Sequence, residues 1–473
     1  VHILAGFLSL FQIWFTGLIY IAYEVYRINQ ALRKQRLNPS IKPLLYTARV
    51  KRQTLVYFTL VLIALYGILR LGLIYSLGLV FYLSIFALAL SIPFMILLVG
   101  LIAMPFEKLI KRFYQNKAIN ILSHSPKLKI IGITGSYGKT SSKNILNEIL
   151  SEKYYTLATP ASYNTPMGIT ITIREQLKAI HEVLICEMGA DKKGEIKALM
   201  NFVKPQTGIV TSIGPQHLNT FKSINNIVKE KMRMIEMLPS NGLGIINKDN
   251  IYIREYQVKN PVTLKSVGID SSDVDYQAIN IHYTISGSGF TVRCAEGEYP
   301  FKTRLLGKHN ISNILVSIAL GRAFGLQWPQ LQKAVTNVNY IEHRLQLKHI
   351  NGLNFIDDAF NSNPDGSKMA LDVLAMMPNH RYIVTPGMID LGQQEDQLNQ
   401  AFGAYMLNRA DTVILIGKHQ TKAVLLGLKE SGFDLNHVLV MDHIKEAFDY
   451  LTKNASDKDT ILLENDLPDA FNR

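Results

Sequence analysis

Residues 131–146 read IGITGSYGKTSSKNIL. An apolar run closes in a turn with Gly132, Gly135 and Gly138 at a spacing of three, and Lys139 and Thr140 open a stretch with helical periodicity. That order predicts strand, tight loop and helix. In such a loop the backbone N–H groups curl toward phosphate oxygens and the helix N-terminus adds partial positive charge. Lys139 adds a full charge, and the Thr140 hydroxyl suits magnesium. Gly135, Ser136, Gly138, Lys139, Thr140 and Ser141 are therefore the candidate nucleotide-phosphate contacts. The spacing departs from GxxxxGKT because Ile133 stands at the first glycine position. A glycine-rich βα turn without a ligand is the plain alternative.

The chain around this loop keeps the same rhythm. The runs LKIIGITG, EVLICEMG and TGIVTSIG alternate with KTSSKNILNEILSE and GEIKALMNFV, which predicts a mainly parallel sheet with helices on both faces. Residues 251–303 alternate polar and apolar side chains and read as an antiparallel β insert. A second βα series follows in LNFIDDAF, RYIVTPG, DTVILIG, HVLVMD and DTILLEN, with a hinge near Tyr340 to Leu345. The fold class is thus α/β: a P-loop mononucleotide-binding domain with a β insert, then a smaller Rossmann-like domain. Glu187 ends one strand and His217 follows the next, where ligands of open α/β sheets collect; each alone reads equally as an ordinary surface residue.

The first hundred residues differ. Between Thr54 and Pro105 the only charged side chain is Arg70, and Val1 to Tyr23 form another apolar run. Eight Lys or Arg against one acid lie between Glu24 and Gln53, and EKLIKR follows the last apolar run. These features predict three transmembrane helices, about 1–23, 54–76 and 77–104, with both basic segments cytoplasmic. Arg70 would snorkel to the outer surface, with a buried functional charge as the alternative. The apolar run at the start lacks the basic lead and short core of a signal peptide. The expected localisation is a multi-pass cell membrane protein with cytoplasmic catalytic domains and the lipid bilayer as a partner. Cys186 and Cys294 both follow the spans and suit a reduced compartment. The net charge of +13 concentrates beside the spans with no aromatic-basic stacking pattern, so nucleic acid is not an expected partner. The expected organisation is a transmembrane region at 1–105, a linker at 106–127, an ATP-binding domain at 128–342 and a C-terminal domain at 343–473.

Eight stretches together resemble the Mur ligases, the ATP-dependent amide-forming enzymes of cell-wall assembly, and most nearly their D-alanyl-D-alanine-adding branch. They are GITGSYGKTSS, TPASYNTPMGI, CEMGADKKGEI, SIGPQHL, VKEKMRMIE, LLGKHNISNIL, EHRLQ and DDAFNSNPDG, across about residues 128–450. The resemblance implies ATP and magnesium as cofactors. Lys139 and the loop would hold the β and γ phosphates, Thr140 and Glu187 a first magnesium, and His217 a second. Lys231 matches the family's carbamylated lysine, with Lys229 as the neighbouring alternative. His309, Asn310 and Asn313 match the nucleotide-side motif, with Asn313 at the adenine. Arg344 matches an arginine that approaches the phosphates on domain closure, and Asp358 an acid that contacts the nucleotide. Asn361, Asn363 and Pro364 complete the C-terminal signature, and Asn164 matches a substrate-side asparagine. Lys139, Lys231, His217 and Arg344 form the implied catalytic set.

Departures from the family touch the substrate. Thr165 and Pro166 replace the usual pair after Asn164, Pro386 and Gly387 replace a glycine and an acid, and LLENDLPDAFN replaces the family's basic loop. There Glu464 and Asp466 would suit an ammonium better than a carboxylate. The expected function is a membrane-anchored peptide ligase joining an amino acid or dipeptide to a carboxylate-bearing peptidoglycan or other cell-envelope precursor, soluble or lipid-linked, beside cell-wall synthesis proteins. Two alternatives stand beside it. One is a tethered D-alanyl-D-alanine-adding ligase acting on a soluble UDP-muramoyl peptide; the other is a P-loop-driven transporter or membrane switch.

Overall fold

The computed structural model describes residues 26, 30, 46–75, 83–84, 86–88, 91–284, 287–340, 345–359, 364–389, 391 and 394–465. The first part of the chain corrects the expected membrane topology. Among the described residues a single helix, Ala48–Tyr75, contains a segment long and apolar enough to cross a membrane, residues 48–71. The expected span at 1–23 and most of 76–90 lie outside the described residues. The described residues thus do not show the expected multi-pass placement or the orientation that three spans would give. The helix Ile92–Ser123 runs on through Pro105 into charged sequence. Near its end Ala118 is buried, with Ile121 and Leu122 packed beside it against the core of the following sheet. Residues 106–123, expected as part of a linker, are therefore helical.

The first sheet has nine strands: β1 (Lys129–Thr134), β2 (Thr156–Ala158), β3 (Val183–Glu187), β4 (Thr207–Val210), β5 (Leu243–Asn247), β6 (Thr263–Gly268), β7 (Tyr276–Thr284), β8 (Gly287–Cys294) and β9 (Gly297–Thr303). Their order is β2-β3-β1-β4-β5-β6-β7-β8-β9. Strands β2 through β7 pair parallel, while β7-β8-β9 form an antiparallel meander. The expected β insert is thus the far edge of the same sheet, joined to it through Val267↔Tyr276 and Gly268↔Gln277.

Alternation along the strands builds two cores, because successive side chains point to opposite faces. Ile131, Ile133, Ile185, Ile209 and Ile245 face helices α1 (Lys139–Ser151) and, in the later sequence, Lys308–Ala323. Ile130, Leu184, Cys186, Val210 and Ile246 face α2 (Glu195–Val203) and α3 (Ile224–Glu236). Each fully buried Ile or Leu contributes about 1.5–3 kcal/mol, so the strands that carry the loops are held from both sides. The helix Lys308–Ala323, here α4, packs against α1 and β6.

The second sheet comprises β10 (Gln346–Ile350), β11 (Leu353–Asp358), β12 (Arg381–Thr385), β13 (Thr412–Ile416), β14 (Val438–Met441) and β15 (Thr460–Glu464). Its order is β10-β11-β15-β12-β13-β14, parallel except for β10. Helices Pro364–Ala375, Glu395–Tyr405 and Lys422–Glu430 cover one face, and Ile444–Asn454 the other.

Candidate active site

In the first sheet, chain order reverses about β1, with β3 on one side and β4 on the other, and ligands of open α/β sheets bind outside the strand ends at such a point. The loop after β1 lies there. Gly138 has φ +78, a left-handed conformation that costs other residues, and a Cβ on it would meet Asn313 Oδ1 at 2.9 Å. A Cβ on Gly135 would lie 2.1 Å from Thr211 Oγ1. Hydrogen bonds bind the loop to the end of β4: Ser136 N–H to Ser212 O at 2.7 Å, Tyr137 N–H to Ser212 Oγ at 3.1 Å, and Thr211 Oγ1 to Tyr137 O at 2.6 Å. Ser136 Oγ both donates to Gly214 O and accepts from Gly214 N–H. The loop is held in shape by protein contacts alone. Lys139 Nζ reaches back to donate to Gly135 O at 2.7 Å and Ser136 O at 2.9 Å.

Behind the loop, Ser142 Oγ donates to Asn313 Oδ1 at 2.9 Å. Asn313 is buried against Gly138, so the structure places it beside the phosphate loop. Asn310 is buried and donates to Leu306 O. His309 is half-buried in the first turn of α4.

Glu187 ends β3 only 1% exposed. Its Oε1 accepts from Asn164 Nδ2 at 3.2 Å, and Lys143 Nζ stands 3.3 Å from its Oε2. That second oxygen is buried yet receives no directed hydrogen bond, which leaves it lone pairs for a cation. Asn164 is wedged against Gly189, whose missing Cβ would come within 2.8 Å of Asn164 Cγ.

A cavity of about 220 Å³ gathers Lys139, Asn164, His217 and Lys231 with Asp191 and Glu195. His217, at φ +56 before a short helix, has Nε2 3.2 Å from Asp191 Oδ1. Lys231 is 2% exposed and donates to Ala190 O at 3.3 Å, whereas Lys229 is exposed. Burial, with the nearby Lys139 charge second, pushes the Lys231 amine down to about 7. Its neighbour Glu230 accepts from Ile196 N–H at 2.8 Å, so α3 fixes both ends of the loop that carries Asp191 and Glu195. Sequence reasoning missed Asp191, Glu195 and Lys143. Asp191 and Glu195 stand in the CEMGADKKGEI stretch, four and eight residues beyond Glu187. A larger groove, about 610 Å³, lies along β6–β8 and holds none of these residues.

Magnesium usually binds through one or two carboxylates together with phosphate oxygens and water. Among the described residues no three His, Cys, Asp or Glu side chains converge into a metal cage. A single buried carboxylate, Glu187, and the Thr140 hydroxyl at the start of α1 therefore fit a magnesium that arrives with a nucleotide.

In the second sheet, Asp358 ends β11 and its Oδ1 accepts from Leu345 N–H at 3.1 Å. Arg344, Asn361 and Asn363 lie outside the described residues, as does Asp466. Glu464 does not present an open acid to a substrate ammonium: it is 1% exposed and accepts from Ser367 Oγ at 2.6 Å.

A phosphate-loop α/β domain followed by a second, mostly parallel α/β domain defines a nucleotide-binding protein of the two-domain ligase type. The chain belongs to the Mur ligase family, the ATP-dependent amide-bond-forming ligases: residues 133–321 match the Mur ligase middle domain, and residues 343–464 match the Mur ligase, glutamate ligase domain. It is 29% identical over 293 residues to the UDP-N-acetylmuramoyl-tripeptide--D-alanyl-D-alanine ligase of Escherichia coli, covering 61% of this chain and 65% of that one. To the Bacillus subtilis enzyme of the same name it is 28% identical over 341 residues, covering 71% and 72%. It thus spans just under two thirds of the Escherichia coli relative. The crystal structure of MurF from Acinetobacter baumannii superposes with a TM-score of 0.67 at 22% identity, covering 75% of this chain and 77% of that one. MurF ligase from Thermotoga maritima in complex with ADP gives 0.67 at 20%, covering 75% and 80%. These two show a shared fold.

Proposed function

We propose that the protein joins D-alanyl-D-alanine to the terminal carboxylate of a soluble UDP-muramoyl tripeptide, with ATP converted to ADP and phosphate. The cavity that unites Lys139, Asn164, His217 and Lys231 carries this reading. It supplies cations beside the phosphate loop and a polar rim for a second reactant. The names of the curated relatives favour the soluble nucleotide over a lipid-linked precursor.

In this reading the substrate carboxylate attacks the γ-phosphorus, the bond to ADP breaks, and an acyl phosphate forms. The dipeptide amine attacks the acyl carbon, phosphate leaves with the C–O electron pair, and the amine proton passes to solvent or a nearby base. Lys139 leaves its loop carbonyls to pair with the transferring phosphoryl oxygens, where fixed positive charge is most effective. Asn164 holds Glu187 in place. Lys231 is about half neutral near pH 7 and can take up carbon dioxide as a carbamate, releasing a proton and placing a new carboxylate in the cavity that Lys139 also lines. Magnesium, when bound, would neutralise charge on the phosphoryl group, with Glu187, Thr140, His217 and carbamylated Lys231 as its protein side. From the second domain, Arg344 and Asp358 would reach the nucleotide on closure, with Asn361 and Asn363 on the substrate side and His309, Asn310 and Asn313 behind the phosphates.

ADP release by the purified protein, measured with ATP, magnesium and UDP-muramoyl tripeptide, should depend on D-alanyl-D-alanine. Release with a membrane lipid extract but not with the soluble nucleotide would refute the proposed substrate.

A further inference from the structure

Lys143 is unused by the chemistry above, yet it is among the most deeply buried charged side chains, 1% exposed on α1. Burying an ammonium is costly unless it is paired and hydrogen-bonded. Its Nζ lies 3.3 Å from Glu187 Oε2, itself 1% exposed, and donates to Ala161 O at 2.5 Å. Among the described residues no other basic side chain stands within ion-pair distance of Glu187.

The hydrogen bond to Ala161 gives the ammonium a second fixed partner beside the carboxylate. It also ties down the loop that presents Asn164, in which Ala161 takes φ +43, a value rare for alanine. Glu187 is therefore gripped from two sides, by Asn164 on one oxygen and by the Lys143 charge on the other.

We propose that Lys143 is a positioning residue and the resident counter-ion of Glu187: it balances this carboxylate while no metal is bound and thereby holds the affinity for magnesium down. The inference rests on the ligase reading, in which Glu187 takes magnesium. A buried carboxylate stripped of its partner is strongly disfavoured. A divalent cation that meets an already neutralised carboxylate gains less than one that meets a bare one. The arrangement lets magnesium and nucleotide leave after each cycle without exposing an unbalanced charge.

The test is a magnesium titration of the full chain in saturating ADP, followed by calorimetry, together with thermal melts with and without magnesium and ADP. Lys143→Met should tighten magnesium binding by about tenfold or more, the factor that corresponds to 1.4 kcal/mol. Its melting temperature should fall without ligand and rise more than the wild type's when magnesium and ADP are added. Lys143→Arg, which keeps the charge, should bind magnesium as the wild type does. In the Lys143→Met, Glu187→Gln double variant the tightening should vanish. If Lys143→Met does not fold, Lys143→Gln keeps a donor for Ala161 O, drops the charge and is read in the same way. Unchanged or weaker magnesium binding in the uncharged variants overturns the counter-ion role, as a merely structural lysine predicts. Absence of magnesium-dependent ADP binding in the wild type would instead remove the ligase reading beneath it.

Discussion

Replacing Lys231 by methionine tests the electrostatics of the cavity directly. The side chain is 2% exposed, and its amine is driven from 10.5 to about 7, first by burial and then by the Lys139 charge. A depression of that size corresponds to roughly 5 kcal/mol of preference for the neutral amine, an order-of-magnitude figure. Between pH 7 and about 10.5 the unfolded chain binds the proton that the folded chain refuses, so stability rises with pH across this window. Below pH 7 the whole cost is present. Methionine removes it and forfeits the hydrogen bond to Ala190 O, about 1 kcal/mol. In buffers freed of carbon dioxide, thermal melts should therefore show Lys231→Met more stable than wild type at pH 6. The difference should shrink steadily toward pH 9.5. Bicarbonate at pH 8 should raise the wild-type melting temperature through ligand linkage and leave the variant unmoved. The variant should also lose turnover. A variant less stable than wild type at pH 6, or a difference that does not change with pH, would refute the reasoning.

Three further substitutions probe separate parts of the molecule. Gly138→Ala forces alanine into a left-handed conformation, at about 1–2 kcal/mol, and against Asn313 Oδ1, so ADP affinity measured by calorimetry should fall about tenfold or more. Ser367→Ala removes a hydrogen bond from buried Glu464, at about 1–3 kcal/mol; the melting temperature should drop while ADP affinity is retained. His217→Ala should lower turnover about tenfold or more with little change in melting temperature, because this side chain is 42% exposed.

The strands were legible because burial on both faces leaves short continuous apolar runs. LKIIGITG, EVLICEMG and all five runs of the second domain fold as read. Phosphate-loop chemistry was legible for a local reason, since glycine and lysine spacing fix the turn themselves. Pairing partners were not: alternation in 276–303 marks strands but cannot say that two residues of β7 would join them to β6. Among the described residues one helix has the length and composition of a span, and composition alone does not show that the helix Ile92–Ser123 continues into a segment docked on the sheet. Lys143 carried a usable signal. It stands three and seven residues before Leu146 and Leu150, on the buried stripe of α1, where an ionic side chain requires a partner.

The three lysines of the site share one device with different consequences. Each rests on loop carbonyls: Lys139 on Gly135 and Ser136, Lys143 on Ala161, Lys231 on Ala190. A neutral carbonyl satisfies an ammonium but binds it less strongly than an anion does. An incoming phosphate can therefore draw Lys139, which is half-buried, off its loop at small cost. Lys143 has a carboxylate as well and stays where it is. Lys231 has one carbonyl at hydrogen-bond distance, and burial together with the Lys139 charge outweighs the pull of Asp191, Glu230 and Glu195, so losing its proton is its cheapest relief. Three identical side chains of one site are thereby sorted into a mobile charge, a fixed charge and a nucleophilic amine by burial and by what else each one touches.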